Sequence, residues 1–382
     1  MSFSIVLGAY VALSAAVLLL NVKWYWKVVL AAAAVAVSMK FYILRWLGGA
    51  FFAPEVPGWI ILISGWMFAA LMCFFCLLIV ADIIWIIISI IALIRHKYDF
   101  KRMRRKQNIC NLVLLIVAAV IAAVGVAGGT ATPRINRVEL VFPNLPPELD
   151  NFTVAVMADL HVDRMTGKEK IQKWVDICNQ LNPDMITVAG DFVDGSIDLY
   201  KDDIAPLANL KAKYGVFGVS GNHEYYSGYQ EWKNYLNSIG VKMLDNTNTD
   251  FPELKLSIAG VADKAAVHRG MEGVNFDAAL ANTPEDNFII LLAHRPELAY
   301  EAAKKNVDLQ ISGHTHGGMI VGFDKIVARF NRGFSSGIYQ VGNMTLCLSN
   351  GTGIWNGFPI RIGFPAEIVL ITLKQSIIKT TG

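Results

Sequence analysis

Residues 185–194, Met-Ile-Thr-Val-Ala-Gly-Asp-Phe-Val-Asp, decide the fold of the larger, C-terminal part of the chain. The run Met185–Ala189 is short, apolar and rich in β-branched side chains, which is the pattern of a buried strand. Gly190 ends the run, and Asp191 and Asp194 follow at once. In open α/β sheets, ligand-binding side chains gather beyond the carboxyl ends of the strands. The stretch therefore predicts a buried strand that delivers two carboxylates to a site at the edge of a sheet.

Histidines show the same placement at four other strand ends. Five of the seven histidines lie in four short clusters, and each cluster follows a run with the pattern of a strand. The clusters are Asp159-Leu160-His161, Gly221-Asn222-His223-Glu224, His294 and His314-Thr315-His316. Because histidine is scarce in this chain, its concentration beside Asp and Asn points to a metal site.

The donor types limit which ions such a site would hold. The clusters offer oxygen and nitrogen donors and no cysteine, which suits borderline or hard divalent ions such as Mn, Fe or Zn. Seven plausible ligands are too many for one tetrahedral ion, but they fit two ions that share a carboxylate. Two ions about 3.5–4 Å apart can activate a bridging hydroxide and hold the oxygens of an in-line displacement at phosphorus.

Predicted strands alternate with predicted helices around these clusters. Strands are expected at Val138–Phe142, Phe152–Met157, Met185–Ala189, Val216–Ser220, 241–244, 254–261, Phe288–Ala293, Asp308–Ser312 and Glu367–Leu373. Helices are expected near 168–181, 200–212, 228–239 and 296–305, and the Gly-rich tail from 318 to 374 is expected to hold loops with strands. This alternation predicts an α/β domain with a largely buried sheet.

The N-terminal third has the composition of a membrane protein. Residues 1–133 hold 11 Lys and Arg against 3 Asp and Glu, a net charge of +8, whereas the remainder holds 23 against 28, a net charge of −5. Apolar runs cover 3–20, 28–44, 58–94 and 108–127. Residues 3–20 could instead be a cleaved secretory signal, but they lack the basic start and the small-residue cleavage site of such a signal. We therefore expect about four transmembrane helices.

The run 58–94 would make a helix about 55 Å long, longer than a bilayer core of about 30 Å. It is either one protruding helix or a tight pair. Since no Pro or Gly lies between Trp66 and Arg95, we expect one helix. Asp82 inside it could mark an ion path in a transport protein, or it could simply face the interface or a neighbouring helix.

Seven basic residues lie between the last two apolar runs. They are Arg95, Lys97, Lys101, Arg102, Arg104, Arg105 and Lys106. Short loops rich in Lys and Arg stay in the cytoplasm. The alternative, a patch for anionic lipid or nucleic acid, fits the position between two apolar runs less well, and no nucleic-acid partner is expected. The final run, 108–127, would then carry the chain across a plasma or inner membrane and leave the C-terminal domain outside the cytoplasm.

Five sequence blocks together resemble the calcineurin-like metallophosphoesterases. The blocks are Asp159-Leu160-His161, Gly190-Asp191-Phe192-Val193-Asp194, Gly221-Asn222-His223-Glu224, Ala293-His294-Arg295 and Gly313-His314-Thr315-His316-Gly317-Gly318. They occur in the order of that family, and the resemblance covers 152–372. The membrane-anchored subset similar to the bacterial YaeI and YkuE phosphoesterases is the nearest type. The resemblance implies a four-layer αββα sandwich over 131–382, preceded by an all-α transmembrane region over 1–130.

The resemblance also implies a role for each site residue. Asp159, His161 and His316 would hold one ion, while Asn222, His294 and His314 would hold a second, and Asp191 would bridge the two. His223 would face the substrate, where it would protonate the leaving oxygen or stabilise charge on the phosphoryl oxygens. Asp194 would accept a hydrogen bond from His223 and orient its ring.

The sequence allows two roles for each of three further residues. Glu224 could cap a helix or support the ligands from behind. Arg295 could contact a substrate phosphate or form a salt bridge. Arg361 could serve substrate approach or packing.

The sequence thus predicts a membrane-anchored enzyme that hydrolyses a phosphomonoester or phosphodiester with two divalent ions. The anchor makes a lipid-linked or envelope-associated ester a candidate substrate. The alternative is a catalytically silent protein of the same fold with a binding or regulatory role at the membrane. Such proteins usually lose metal ligands, whereas this chain keeps the whole set, including His223 and Asp194.

Overall fold

The computed structural model describes residues 6–13 and 23–376. The chain divides into two compact units. The first, here the helical unit, comprises Met1–Gly128 and Asn356–Ile360, and the second, the sheet unit, comprises Gly129–Trp355 and Arg361–Gly382.

Long apolar helices build the helical unit. Residues 6–13 are helical, and they are followed by α1 (Trp24–Ser38), α2 (Lys40–Leu47), α3 (Gly58–Ile94) and α4 (Phe100–Thr130). Of the described helices, α3 and α4 are each long and apolar enough to cross a membrane, and α1 with α2 would be a third crossing if that bent pair is one span.

The expectation of about four spans is thus met only in part. Residues 58–94 form one uninterrupted helix, as expected. The run 3–20 lies mostly outside the described residues. The run 28–44 is not one straight helix, because the chain bends by 73° between α1 and α2. The bend accompanies the burial of Lys40, whose Nζ donates hydrogen bonds to the carbonyl oxygens of Asn356 at 3.1 Å and Gly357 at 3.0 Å. A charge within an apolar region needs such partners.

Asp82 is paired inside the helical unit. Its carboxylate accepts a hydrogen bond from Tyr10 Oη at 2.6 Å and one from Gln107 Nε2 at 3.5 Å. These contacts favour the interpretation that Asp82 joins neighbouring helices.

Two six-stranded sheets form the centre of the sheet unit. The strands are β1 (Arg134–Phe142), β2 (Thr153–Met157), β3 (Met185–Val188), β4 (Val216–Gly218), β5 (Val241–Met243), β6 (Thr247–Phe251), β7 (Leu256–Gly260), β8 (Phe288–Leu292), β9 (Leu309–Ser312), β10 (Gly337–Val341), β11 (Met344–Leu348) and β12 (Glu367–Gln375). The first sheet has the order β1-β12-β2-β3-β4-β5, and the second has the order β10-β11-β9-β8-β7-β6.

Short helices connect the strands. They are α5 (Lys168–Gln180), α6 (Ile197–Ile204), α7 (Asn222–Ser227), α8 (Tyr229–Ser238), α9 (Phe276–Ala279), α10 (Ala299–Ala302) and α11 (Phe323–Phe330). The helix expected near 296–305 is instead a chain of 3₁₀ and α turns around α10.

Three hydrophobic cores define the layers of the sheet unit. One core contains inward-facing residues of both sheets, such as Val156 and Ile290, so the sheets pack face to face. A second joins the outer face of the first sheet to α5, α6 and α8 and includes Trp174 and Trp232. A third covers the outer face of the second sheet with α9 and α10. The two sheets therefore lie between outer layers of helices.

Strand direction positions the site. In the first sheet β2, β3, β4 and β5 are parallel, and in the second β7, β8, β9 and β11 are parallel. The segments that follow β2, β3, β4, β8 and β9 carry all the candidate ligands. Parallel strands bring their carboxyl ends to one edge of a sheet, so these segments meet.

Several elements were not expected from the sequence, namely the short helices α7 and α9, the strand β6 and the helix α11. The polar strand β6 lies at the edge of the second sheet and pairs antiparallel with β7. Its sequence, Thr-Asn-Thr-Asp-Phe, lacks an alternating apolar pattern, because no residue of this edge strand is fully buried. The helix α11 lies in the tail that was expected to hold only loops and strands.

Candidate active site

The ligand-bearing loops are tied to one another by backbone hydrogen bonds. The Asp159 N–H donates to Gly190 O at 2.9 Å, and the His161 N–H donates to Asp191 O at 3.0 Å. The His314 N–H donates to the carboxylate of Asp159 at 2.9 Å. Loops from different strands therefore fix each other's positions.

Five of the candidate ligands have left-handed backbone conformations. The φ angles are 52° at Asp159, 47° at His161, 52° at Asp191, 75° at His314 and 49° at His316. Such conformations cost a residue with a side chain on the order of 1–3 kcal/mol each, and they gather at functional sites. His314 and His316 thus lie in a strained turn.

Asp159, His161 and His316 form the first cluster, with potential ligand atoms within 4.8 Å of one another. The Nε2 atoms of His161 and His316 are 3.0 Å apart, and His316 Nε2 is 3.8 Å from Asp159 Oδ1. His161 Nδ1 lies 3.0 Å from Asp194 Oδ1. A proton on Nδ1 for that hydrogen bond leaves the Nε2 lone pair for a metal.

Asp191, His294 and His314 form the second cluster. His294 Nε2 is 3.2 Å from Asp191 Oδ2 and 3.2 Å from His314 Nδ1. His294 Nδ1 lies 2.8 Å from the carbonyl oxygen of Ala189, an acceptor, so this nitrogen carries the proton and Nε2 is the ligand atom.

Asp191 lies between the two clusters. Its Oδ2 is 3.2 Å from His294 Nε2 in one cluster and 3.9 Å from His161 Nε2 in the other. Asn222 is joined to the second cluster through Arg295, which donates to Asn222 Oδ1 at 3.1 Å and to His314 Nε2 at 2.8 Å. All seven sequence-predicted ligands are therefore brought together.

His223 and Asp194 also lie at this site. His223 Nδ1 is 2.5 Å from Asp194 Oδ1, and His223 Nε2 is 4.0 Å from Asp191 Oδ2. Burial lowers the pKa of His223, but the Asp194 and Asp191 carboxylates raise it more, and the result is a pKa of about 9. Asp194 thus contacts two histidines, although the sequence suggested only His223 as its partner.

Glu224 holds the backbone of the two loops that follow β3 and β4. Its buried carboxylate accepts backbone N–H groups of Gly221 and Asp191 at Oε2, and of Phe192 and Val193 at Oε1, over 2.7–3.2 Å. It caps α7 and holds the loop after β3, so the two interpretations kept from the sequence both apply. Burial raises its pKa to about 7, with Asp191 acting in the same direction.

Arg295 forms a salt bridge, one of its two suggested roles. Its Nε is 2.7 Å from the carboxylate of Asp263, a residue that the sequence analysis missed. Asp263 lies just beyond β7, where a single aspartate is too ordinary to indicate a role. The pair holds Arg295 against Asn222 and His314.

Arg361 is buried against His316. Its Nη2 donates to Gly353 O at 2.7 Å and lies 3.1 Å from His316 Nδ1, while its Nη1 donates to His316 O at 3.2 Å. These contacts fix the turn that carries His316, so Arg361 has a packing role.

Glycine is required beside the ligands for different reasons at two positions. Gly190 has a φ of +86°, which favours glycine. Gly221, in contrast, has an extended backbone, with φ −95°. Glycine is needed at this position for lack of space, because a Cβ on Gly221 would lie 2.2 Å from Asp191 Oδ1.

The clusters fit two divalent ions. Histidine nitrogens face each other at 3.0–3.2 Å within each cluster, and carboxylates lie on the same side. At His161 and His294 the second ring nitrogen is hydrogen-bonded elsewhere, so the Nε2 lone pair of each ring is available to a cation. The nitrogen and oxygen donors suit Mn, Fe or Zn.

A two-sheet α/β sandwich with adjoining His/Asp clusters at its strand ends defines a class of metal-dependent phosphoesterase folds. Residues 152–318 match the family described as "Calcineurin-like phosphoesterase". The chain belongs to the calcineurin-like phosphoesterase family.

The chain is similar to several metallophosphoesterases, some of them described as transmembrane proteins. The "Transmembrane protein with metallophosphoesterase domain" of Danio rerio is 31% identical over 70% of this chain and 63% of its own length. An uncharacterized metallophosphoesterase of Helicobacter pylori is 33% identical over 73% of this chain and 74% of its own. YkuE of Bacillus subtilis is 26% identical over 72% of this chain and 99% of its own. The chain spans less than two thirds of the fish relative. The apolar helices and these relatives indicate a membrane protein.

Proposed function

We propose that this chain is a membrane-anchored dimetal phosphoesterase that hydrolyses a phosphomonoester or phosphodiester. The observation that carries the proposal is the convergence of two ligand clusters on Asp191, with His223 beside them. Asp159, His161, Asp191 and His316 would hold one ion, and Asp191, Asn222, His294 and His314 the other. Bound there, two divalent ions would supply an activated water nucleophile and positive charge for the phosphoryl oxygens.

The chain's own residues would place the substrate and move one proton. His223 Nδ1 is held by Asp194, so Nε2 is the atom presented toward Asp191. A protonated Nε2 there can donate its proton to the leaving oxygen as the P–O bond breaks. The Asp194 and Asp191 carboxylates favour that protonated form, because they raise the pKa of His223.

The silent alternative is favoured less by the geometry. A binding protein needs no acid poised at the site, whereas here Asp194 and Asp191 both act to keep His223 charged. The left-handed backbone at five ligands is a further cost that a purely structural role does not explain.

Hydrolysis of chromogenic esters tests the function. The purified full chain would be given bis-p-nitrophenyl phosphate and p-nitrophenyl phosphate with Mn, Fe, Zn or Mg added in turn. We expect turnover with at least one ion and its loss in His223→Asn with metal content retained. Inertness with every ion would refute the enzyme and leave the binding role.

We also propose that the sheet unit lies outside the cytoplasm. The support is the basic residues at 95–106, which lie at the end of α3 and in the first turns of α4. Protease treatment of intact against lysed cells tests this placement. We expect the protease to cleave the sheet unit in intact cells. Cleavage only after lysis would place the sheet unit in the cytoplasm and so contradict the proposal.

A further inference from the structure

The helix α11 presents an apolar face to its surroundings. Phe323, Ile326 and Phe330 are 38%, 53% and 81% exposed, and Val321 just before the helix is 66% exposed. Spacings of three and four residues place the three helix residues on one face. None of the helix residues is buried within the described chain. Single exposed apolar residues are ordinary, but a contiguous apolar face marks an interaction surface.

Basic residues lie in this helix and just after it. Lys325 and Arg329 lie in α11 and Arg332 follows it, against one acid, Asp324, which gives a net charge of 3 − 1 = +2 over 321–332. The Asp324 carboxylate accepts the Gly322 N–H at 2.6 Å and so belongs to the start of the helix. An apolar face on a helix that otherwise carries basic residues is the pattern of a helix that lies in the interface of an anionic membrane.

α11 is joined closely to the ligand-bearing turn. The Met319 N–H donates to His316 O at 3.1 Å, and the Val321 N–H donates to Ile362 O at 3.0 Å. Ile362 follows Arg361, which holds the His316 turn. A Cβ on Gly318 would lie 2.3 Å from the Asp324 Cα, so the turn and the helix start are in direct contact. A surface that binds α11 would therefore lie next to the metal centre.

The bilayer is the proposed partner, because a short segment joins the apolar helix α4 to the sheet unit. From Lys106 to Thr130, α4 has a length of about 36 Å, enough to cross a bilayer core. Only residues 131–133 separate its end from β1, a distance of at most about 14 Å. A short tether gives the bilayer a high effective concentration at the sheet unit, so a weak interfacial helix is enough for docking.

We propose that Val321–Phe330 is an interfacial segment that inserts its apolar face into the anionic surface of the bilayer that the chain's apolar helices cross. Docking there presents the metal centre to phosphoesters in the lipid headgroup layer. That consequence for the substrate rests on the proposed function, whereas the docking itself does not.

Fluorescence quenching tests the docking directly. The full chain with Phe330→Cys, labelled with an environment-sensitive fluorophore, would be reconstituted in vesicles of phosphatidylglycerol and phosphatidylcholine with spin-labelled acyl chains. Val267→Cys is the matched control, because Val267 is 63% exposed and lies on a separate 3₁₀ segment. Labelling of the unmodified chain gives the background from native thiols. We expect a blue shift and at least twofold quenching at position 330 and neither at 267.

Two outcomes would overturn the proposal. One is a solvent-like, unquenched probe at 330, and the other is efficient disulfide cross-linking of Phe330→Cys between two chains, which would assign the face to a second copy.

A second arm separates the docking from the enzyme. In a variant with Phe323→Ser, Ile326→Ser and Phe330→Ser, we expect at least a fivefold loss of phospholipid hydrolysis in vesicles, with bis-p-nitrophenyl phosphate hydrolysis and the unfolding temperature unchanged. Equal lipid hydrolysis in the variant would contradict the substrate consequence. Absence of all hydrolysis in the unmodified chain would refute the proposed function and leave the quenching result standing.

Discussion

At Asp194, one carboxylate oxygen serves two histidine rings. Oδ1 lies 3.0 Å from His161 Nδ1 and 2.5 Å from His223 Nδ1. The first contact orients a proposed metal ligand, and the second orients the proposed acid. Burial raises the pKa of Asp194, but the two histidines lower it more, so the group stays ionised.

We therefore expect Asp194→Asn to impair two properties at once. Metal affinity should fall by about 10–100-fold, because an amide no longer orients His161. The kcat should fall by about 10²–10⁴-fold, because His223 loses the charge that keeps it protonated. Metal titration and steady-state kinetics measure the two effects, with exposed Asp198→Asn as the control. Loss of neither property would show that Asp194 does not position these rings.

Substitution of Glu224 tests how the loop after β3 is stabilised, not the chemistry of the site. In Glu224→Gln the side-chain NH₂ group takes the place of one carboxylate oxygen. It would then face two backbone N–H groups, either those of Phe192 and Val193 or those of Asp191 and Gly221. Above the Glu224 pKa of about 7, where the carboxylate is ionised, we expect the free energy of unfolding to fall by about 3 kcal/mol, since hydrogen bonds to a charged acceptor are lost. Denaturant unfolding measures it, with exposed Glu231→Gln as the control. A change below about 0.5 kcal/mol would contradict the supporting role.

At the scale of elements, the segment Asn356–Ile360 is a structural part of the helical unit. Besides its carbonyl contacts with Lys40, Asn356 Nδ2 donates to Phe52 O at 3.1 Å, and the Phe358 ring packs edge-on against Phe68 at 6.4 Å. Buried Lys40 is the one charged group among these contacts. The segment therefore depends on a single ammonium group for two of its carbonyl oxygens.

Replacing Lys40 by Met should loosen this segment. A charge-assisted hydrogen bond contributes about 1.5–3 kcal/mol, so we expect amide hydrogen exchange over 354–362 to rise about tenfold or more. Mass spectrometry of that peptide measures the rate in the reconstituted chain. Lys97→Met, which changes an exposed lysine, should leave it unchanged. Equal exchange in both variants would mean that apolar packing alone holds the segment.

At the scale of the whole molecule, the sheet unit encloses an unusual number of ionisable groups. Asp159, Asp191, Asp194, His161 and His294 are all nearly inaccessible to solvent. Buried charges are costly unless they are paired. Bound divalent ions would neutralise the carboxylates and stabilise the folded state.

Chelation should therefore destabilise the sheet unit. A ligand at about 1,000 times its Kd stabilises the folded state by about 4 kcal/mol, which corresponds to several degrees in Tm for a domain of this size. Calorimetry of the full chain with and without a chelator measures the shift, and in His294→Ala the shift should be smaller. An unchanged Tm after verified metal removal would contradict the assignment of these clusters as metal sites.

Much of the sheet unit could be predicted from sequence because its signals are local. The run Met185–Ala189 and its counterparts predicted the buried strands, and the residues directly after them supplied the candidate ligands. The edge strand β6 and the helix α11 were not predicted, since neither buries enough apolar surface to give a strong sequence pattern. Asp263 escaped because one aspartate after a strand is ordinary until Arg295 is seen against it.

The sequence by itself determined the α/β class, the long helix over 58–94 and the identity of the seven clustered ligand candidates, because strand periodicity, helix length and donor type are properties of short stretches. Only the tertiary structure decided that Asp194 serves both His161 and His223, that Gly221 is needed for space, and that Lys40 meets Asn356 at a bend in the helices. Those contacts join residues 29 to 316 positions apart. Their geometry depends on how strands and helices pack, which no local pattern encodes.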